Sequence, residues 1–476
     1  MKGERVPMVF SSVAFLFYFL PVLLLLYLIV PQKLKNGVMI LASMVFFAWG
    51  EIRFIPVMLG LSVVDFVCGR MMERNRDNQK RRLLFMLIGV GTNLAVLIFF
   101  KYVNFFAGNV NALFGTSFHP DIILPIGVSF NSFQSMSYAI DVYRGTTKAE
   151  KKYYDYLHYT TLFPQIIAGP IVRYVTVEQD LDSHMITRDG FSEGMRRFMV
   201  GMGKKVLIAN NLGLLWSQVS TGQLGEATVL LYWAGIIAYT FQIYFDFSGY
   251  SDMAIGLARV FGLTFDENFD TPYISRSITE FWRRWHITLG AWFRDYVYIP
   301  LGGNRRGIPR QIFNMFVVWA LTGFWHGASW NFVLWGLYFS VFLAVEKFIL
   351  FRFWEKVPRF FQHVYTMLIV VVSWVIFTGD DMKGITIGGY LSGMFGLSGL
   401  PLWNQTALFQ FVQYLPILLV ATYFATPHFR GVLKKAEASQ SPLCWGATTT
   451  GYLLVFLACV AAIVSSSYNP FLYFRF

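Results

Sequence analysis

Long apolar runs recur along the whole chain, and they limit the possible folds more than any other feature. The first run covers residues 9–30, and a helix needs roughly 20 apolar residues to cross a bilayer. Hydrophobic residues make up 55% of the 476 residues and charged residues only 14%. A soluble domain of this composition could not cover its apolar surface in water. The sequence therefore predicts an all-α polytopic membrane protein.

The later runs differ in length, and this difference sets the expected number of spans. They lie at about 36–49, 54–68, 83–100, 122–143, 190–215, 228–247, 312–324, 329–347, 364–378, 385–398, 408–425 and 446–465. Runs near 14 residues need amphipathic flanks to cross a bilayer. We expect about eleven transmembrane helices, together with re-entrant or interfacial helices.

Three segments between the runs are expected to behave differently from spanning helices. Tyr156–Pro170 is apolar but too short to span, and its Pro and Gly residues predict a broken segment that dips into the membrane against other helices. Residues 251–311 mix many charges with aromatic residues, which is typical of amphipathic and re-entrant helices. Residues 424–445 are polar, and we expect a loop there.

Basic residues give the chain a net charge of +12, which raises the question of nucleic-acid binding. They stand in short clusters beside apolar runs, where they set topology and meet anionic lipid head groups, so we do not expect nucleic acid as a partner. The clusters after the first, third and fifth runs are at 33–35, 70–82 and 144–152. The positive-inside rule then places these loops in the cytoplasm and the N-terminus outside, although Lys2 and Arg5 oppose this orientation.

Two histidines stand in strongly apolar and aromatic surroundings. His286 lies in FWRRWHITLG and His326 in GFWHGASW, and each follows a tryptophan directly. An imidazole at membrane depth serves either as a hydrogen-bonding member of the fold or as a proton carrier. The two residues together are the candidate active site.

Each histidine has a functional and a structural interpretation. His326 could act as the general base that takes a proton from an attacking hydroxyl, or a backbone carbonyl at a helix end could satisfy it. The flanking Gly323 and Gly327 are expected to leave space around its ring. His286 could orient the acceptor or stabilise charge on an acyl oxygen, or it could simply pack among neighbouring tryptophans.

Other polar residues carry weaker signals. Asp246 and Asp252 are expected to pair with Arg283, Arg284 or Arg294, because acids in hydrocarbon normally survive by pairing. Arg173 could bind a phosphate group of the acyl donor, or it could simply be one of the basic residues that set the membrane topology. The three cysteines predict neither a disulfide framework nor a metal site. The remaining histidines receive no role: His119, His158, His184, His363 and His428.

Three long ordered segments give the chain a family resemblance. They are FPQIIAGPIVRY, the stretch from FDFSGYSDMAIGLARVFGLTF to EFWRRWHITLGAWFRDYVYIPLGGNR, and LTGFWHGASWNFVLWGLY. With these motifs the chain resembles the membrane-bound O-acyltransferase (MBOAT) family, in its bacterial branch of alginate O-acetyltransferase membrane subunits. The likeness extends from the start of the chain to about residue 345.

The resemblance implies a single integral membrane domain over residues 1–476, with a motif core at about 120–345 and less specific C-terminal helices at 346–476. It further implies a central tunnel through the bilayer, closed around a histidine that corresponds to His326, with the second polar position at His286. Acetyl groups would come from cytoplasmic acetyl-CoA, with no bound cofactor or metal, and would pass to the outer side of the bacterial inner membrane. An SGNH-type partner protein would then complete transfer to a polysaccharide acceptor.

The chemistry of acyl transfer agrees with this resemblance. The acceptor hydroxyl must lose its proton, the oxyanion must be stabilised, and water must be excluded. His326 would take the first role, and His286 or backbone N–H groups around Gly327 and Ala328 would supply the second. The alternative function is a non-enzymatic transporter or scaffold for an acylated carrier.

Overall fold

The computed structural model describes residues 8–167, 169–183, 186–439, 441–466, 468 and 472. Within these ranges the chain forms helices, and an isolated bridge between Phe269 and Trp285 is the only β-type pairing. The predicted all-α class is confirmed. Lys2, Arg5, Ala168 and His184 lie outside the described residues.

A first compact unit comprises Met1–Phe198 and Tyr250–Glu267. A π-helical turn at Phe15–Phe19 leads into its first α-helix. The α-helices of this part of the chain are α1 (Leu20–Ile29), α2 (Lys35–Glu51), α3 (Ile55–Arg74), α4 (Gln79–Phe114), α5 (Val128–Arg144), α6 (Tyr153–Thr161), α7 (Phe163–Ile166), α8 (Tyr174–Ser183) and α9 (Arg188–Gly203, whose last residues belong to the second unit).

A second compact unit comprises Met199–Gly249 and Asn268–Phe476. Its α-helices are α10 (Asn210–Ser220), α11 (Val229–Val260, whose last residues belong to the first unit), α12 (Ile278–Arg284), α13 (Ile287–Phe293), α14 (Ile308–His326), α15 (Trp330–Phe348), α16 (Arg359–Phe377), α17 (Ile387–Met394), α18 (Gln405–Phe424), α19 (Pro427–Glu437) and α20 (Pro442–Ser465). Both histidines of the candidate site belong to this unit.

Seven helical segments of the described chain are long and apolar enough to cross a membrane. They are Gln32–Arg74, Gln79–Phe114, Val229–Val260, Trp330–Arg352, Arg359–Phe377, Gln405–Phe424 and Pro442–Ser465. Many of their large apolar side chains are exposed, such as Leu41, Phe99, Leu419 and Val464, as expected of surfaces that face lipid. The polytopic class is confirmed, whereas the expected number of about eleven spans is not.

The predicted break in Tyr156–Pro170 is confirmed. Helix α6 ends at Thr161, and after Leu162 the chain resumes as the single turn α7. Leu162 and Phe163 are fully buried, and the Phe163 N–H donates to Ser43 Oγ at 3.1 Å. Irregular backbone inside a membrane protein needs such internal partners because lipid offers none.

The loop expected at residues 424–445 is wrong, because helix α19 occupies the middle of this stretch and helix α20 begins within it, at Pro442. Thr426 precedes the helix in an extended conformation, and Pro427 occupies its first turn. A threonine followed by proline is a typical helix start, since proline lacks only an N–H that would be unpaired there. The polar composition reflects the exposure of this helix and not a loop conformation.

The two acids of FDFSGYSD form ion pairs, as expected, and each pairs with a basic residue that the sequence analysis did not name. In the first unit Asp252 accepts from Arg197, with Nη2 at 3.0 Å from Oδ1. In the second unit Asp246 pairs with Lys205, and both side chains are almost completely buried. The expected partner Arg284 instead binds Asp270 and Glu280. Lys205 lies 41 residues before Asp246, and Arg197 lies 55 residues before Asp252, so the spacing of nearby residues could not identify either partner.

Candidate active site

His286 lies between two short helices, and backbone hydrogen bonds hold the junction of these helices in place. Helix α12 ends at Arg284, and α13 begins at Ile287. The Asp270 N–H donates to the Arg284 carbonyl at 2.9 Å, and the Ile287 N–H donates to the Asn268 carbonyl at 3.0 Å. Because hydrogen bonds on both sides hold the junction, the position of the imidazole is set by the backbone.

The His286 ring is buried among aromatic side chains, with 1% of the residue exposed. Phe247 packs edge-on against it, with ring centres 4.7 Å apart, and the Trp325 ring centre lies at 6.0 Å. His286 Nδ1 lies 3.0 Å from Asn268 Oδ1. Burial in such surroundings favours the neutral imidazole over the charged form.

His326 is the last residue of α14, and 6% of it is exposed. Trp335 meets its ring at 90°, with ring centres 5.1 Å apart. Phe377, at the end of α16, lies against it at 5.5 Å between ring centres. Three helices of the second unit therefore meet at this imidazole.

The expectation that Gly323 and Gly327 leave space around the His326 ring is wrong. A Cβ on Gly323 would lie 2.2 Å from the carbonyl oxygen of Phe332, and one on Gly327 would lie 2.1 Å from the Phe332 ring. Both glycines thus allow the start of α15 to approach the end of α14 closely. Small residues at membrane helix interfaces commonly serve this purpose.

The structure brings the two histidines together, with ring centres 6.5 Å apart. At this separation the ring nitrogens of one imidazole cannot reach those of the other by a direct hydrogen bond. A reacting group between the rings could be within reach of both. The aromatic surroundings would keep bulk water away from such a group, as acyl transfer from a thioester requires.

Two other residues were considered from the sequence. Arg173 lies in the first unit between α7 and α8, and its role toward a phosphate stays a prediction. His363 Nδ1 lies 3.1 Å from the Ser275 carbonyl oxygen. Among the described residues, no group of three or more His, Cys, Asp or Glu side chains is placed to hold a metal ion.

Sequence reasoning missed two residues that organise the site. Asn268 is fully buried and binds His286, although it lies 18 positions before it in the chain. Glu346 is fully buried on α15 and accepts hydrogen bonds from the backbone N–H groups of Ile278 and Thr279, where α12 begins. A signal existed for Glu346, because a lone acid inside an apolar run usually has a partner or a function.

Comparisons with known proteins identify the family. The model of the membrane-bound O-acyltransferase (MBOAT) family matches residues 144–389, which include both histidines. The probable alginate O-acetylase AlgI of Pseudomonas putida is 40% identical over 98% of this chain and 100% of its own length. The peptidoglycan O-acetyltransferase of Helicobacter pylori is 30% identical over 98% of each chain. The teichoic acid D-alanyltransferase of Bacillus subtilis is 29% identical over 50% of this chain and 62% of its own. The chain thus belongs to the membrane-bound O-acyltransferase family and is a multi-pass acyltransferase of the bacterial inner membrane.

Proposed function

We propose that this membrane O-acetyltransferase draws acetyl groups from cytoplasmic acetyl-CoA and passes them across the membrane for O-acetylation of an extracellular or periplasmic polysaccharide such as alginate. The observation that supports this most directly is the meeting of His286 and His326, from separate elements, inside a buried aromatic site. Membership of an acyltransferase family weighs against the alternative of a non-enzymatic transporter or scaffold.

His326 acts as the general base in this proposal. The acceptor hydroxyl attacks the thioester carbon, a C–O bond forms, and the C–S bond breaks. The hydroxyl proton moves to His326 and then to the leaving thiolate, so that free CoA is released and the histidine is regenerated. The buried surroundings favour this step over hydrolysis of the thioester by water.

The acceptor and the partner are proposed from the relatives. Relatives that are 40% and 38% identical to this chain are named probable alginate O-acetylases, and one that is 30% identical is named a peptidoglycan O-acetyltransferase. An SGNH-type protein on the outer side would receive the acetyl group and pass it to the polymer. Peptidoglycan is the second acceptor to test, because that relative also covers 98% of the chain.

The test follows acyl-donor turnover by the purified protein in lipid discs. Labelled acetyl-CoA is supplied with an SGNH-type partner and polymer, and release of free CoA is measured for the native chain and for His326→Ala. We expect His326→Ala to lower the rate by on the order of 10²- to 10⁴-fold, the usual contribution of a general base. The control is His428→Ala, because His428 is exposed on α19 and should leave the rate unchanged.

Two outcomes would contradict the proposal. If His326→Ala releases CoA at close to the native rate, His326 is not the general base of the reaction. If the native protein releases no CoA even with partner and polymer present, acetyl-CoA is not the donor.

A further inference from the structure

The backbone of His286 adopts a conformation that is unusual for any residue except glycine. Its φ and ψ angles are 45° and 53°, in the left-handed region. Such a conformation persists only where the surrounding structure enforces it, and it occurs often at functional sites. Here the backbone bonds from Asp270 and Ile287 enforce it.

The side chain of Asn268 determines which nitrogen of His286 carries the proton. Its Oδ1 lies 2.9 Å from Thr288 Oγ1 and 3.4 Å from the backbone nitrogen of Thr288, and 3.0 Å from His286 Nδ1. A backbone N–H can only donate, so the Asn268 atom that faces these groups is the acceptor oxygen. His286 Nδ1 must therefore donate to it as an N–H.

A neutral imidazole carries one ring proton, so with the proton on Nδ1 the Nε2 atom keeps its lone pair. His286 Nε2 is buried and has no hydrogen-bond partner among the residues that the structure describes. A buried acceptor without a partner is unfavourable, and a bound molecule that donates a hydrogen bond to it would remove this cost. The neutral ring in this tautomer cannot donate a hydrogen bond to an acyl oxyanion.

We propose that His286, held in this tautomer by the positioning residue Asn268, accepts a hydrogen bond from the amide N–H nearest the thioester in the pantetheine arm of the acyl donor. This inference rests on the proposed use of a CoA thioester. Of the donor's two pantetheine amides, this N–H lies two carbon atoms from the sulfur. The ring centres of the two histidines are 6.5 Å apart, so a donor whose acyl carbon is near His326 would place this N–H group close to His286.

The assignment separates the roles of the two histidines. His326 remains the base for the acceptor hydroxyl, while His286 aligns the thioester and leaves the oxyanion to other donors. The backbone N–H groups around Gly327 and Ala328 are then the candidates for that role.

The experiment compares two small acetyl donors that differ at the amide alone. S-acetyl-N-acetylcysteamine contains the amide, and the diacetyl derivative of 2-mercaptoethanol has an ester oxygen in place of its N–H. We expect the native protein in lipid discs to favour the amide compound in kcat/KM by about 5- to 150-fold, the range for leaving a buried acceptor unpaired. The ratio of the two kcat/KM values reports on this single hydrogen bond, because changes in expression or overall activity cancel.

Variants then connect the ratio to the two residues. In His286→Phe and in Asn268→Ala the ratio should fall close to one, whereas Asn268→Asp should keep most of it because a carboxylate also accepts from Nδ1. Replacing His286 by Nδ1-methylhistidine in the Asn268→Ala background should restore the ratio, since the methyl group leaves the lone pair on Nε2. A merely structural role of Asn268 would not be rescued in this way.

The outcomes distinguish this inference from the proposed function. Turnover of both compounds by the native protein at equal kcat/KM would overturn the pantetheine assignment and leave thioester chemistry intact. An unchanged preference in His286→Phe would also overturn it. If neither these compounds nor acetyl-CoA is turned over, the proposed donor fails and this inference fails with it.

Discussion

Glycine residues at the contact of α14 with α15 determine how His326 is presented. Gly336 on α15 faces α14, and a Cβ there would lie 2.1 Å from the Trp319 carbonyl oxygen. Gly323 makes the reciprocal approach from α14. Because α14 ends at His326, any separation of the two helices moves the imidazole relative to Trp335 and Phe377.

Gly336→Ala should destabilise the protein and lower acetyl transfer together. The atom nearest to the added methyl group is a backbone oxygen, which cannot move aside as a flexible side chain could. The two helices must therefore separate, at a cost of about 1–3 kcal/mol. The measurements are the thermal unfolding midpoint in detergent and CoA release in lipid discs. Gly451→Ala is the matched control, since Gly451 is also in a spanning helix and nothing lies within 4 Å of the added atom. Equal midpoints for the two variants would contradict the close contact.

At the level of residues, the sequence was sufficient to single out two histidines that the structure brings together, but not the groups that orient them. His286 and His326 stand out because an imidazole is rare in apolar segments. The role of Asn268 could not be predicted from the sequence, because it depends on the backbone hydrogen bonds that pair residues 268–270 with 284–287 in the folded chain. The partners of Asp246 and Asp252 were missed for the same reason, since ion pairs between helices depend on which helices become neighbours.

Among the elements, α12 depends on a carboxylate from a different helix. Glu346 accepts from the backbone N–H groups of Ile278 at 2.6 Å and Thr279 at 2.9 Å, and from Thr279 Oγ1 at 2.9 Å. These are N–H groups that no carbonyl within the helix can satisfy. The contact fixes the start of a helix whose end leads directly to His286.

Glu346→Gln should lower both stability and acetyl transfer. The glutamine amide offers one acceptor oxygen where the carboxylate offers two, so one buried N–H loses its partner at a cost of about 1–3 kcal/mol. A lower unfolding midpoint and slower CoA release are expected in the same assays. Glu355→Gln should change neither, because Glu355 is exposed. A Glu346→Gln variant with native midpoint and rate would show that α12 does not need this cap.

The apolar runs predicted the existence of the helices better than their extents. The run at 312–324 became α14, which starts earlier and ends at His326. The run at 385–398 gave only the eight-residue α17. Apolar composition alone cannot distinguish a spanning helix from a buried segment that glycine and turns interrupt. The helix start at Thr426–Pro427, by contrast, was readable from the sequence and was overlooked.

For the whole molecule, the long helix α4 offers a direct way to establish orientation. It has 36 residues, and at 1.5 Å per residue its length is about 54 Å, against a hydrocarbon core of about 30 Å. The loops at its two ends therefore emerge on opposite sides of the membrane. Basic residues crowd the chain on both sides of the first of these loops, from Arg70 in α3 to Arg82 in α4, and are almost absent from the second loop.

A cysteine at position 77 should be shielded from an impermeant thiol reagent in intact cells, because the positive-inside rule places its loop in the cytoplasm. The opposite loop provides the matched position 117, where a cysteine should label readily. Asp77→Cys and Ser117→Cys are suitable because both residues are exposed, and the three native cysteines are first replaced by alanine. Labelling of position 77 but not 117 would reverse the orientation and place the basic loop outside. With the orientation reversed, a cytoplasmic acetyl donor would have to enter the protein from its opposite face. This measurement therefore constrains the direction of acetyl transfer through the protein as well as its topology.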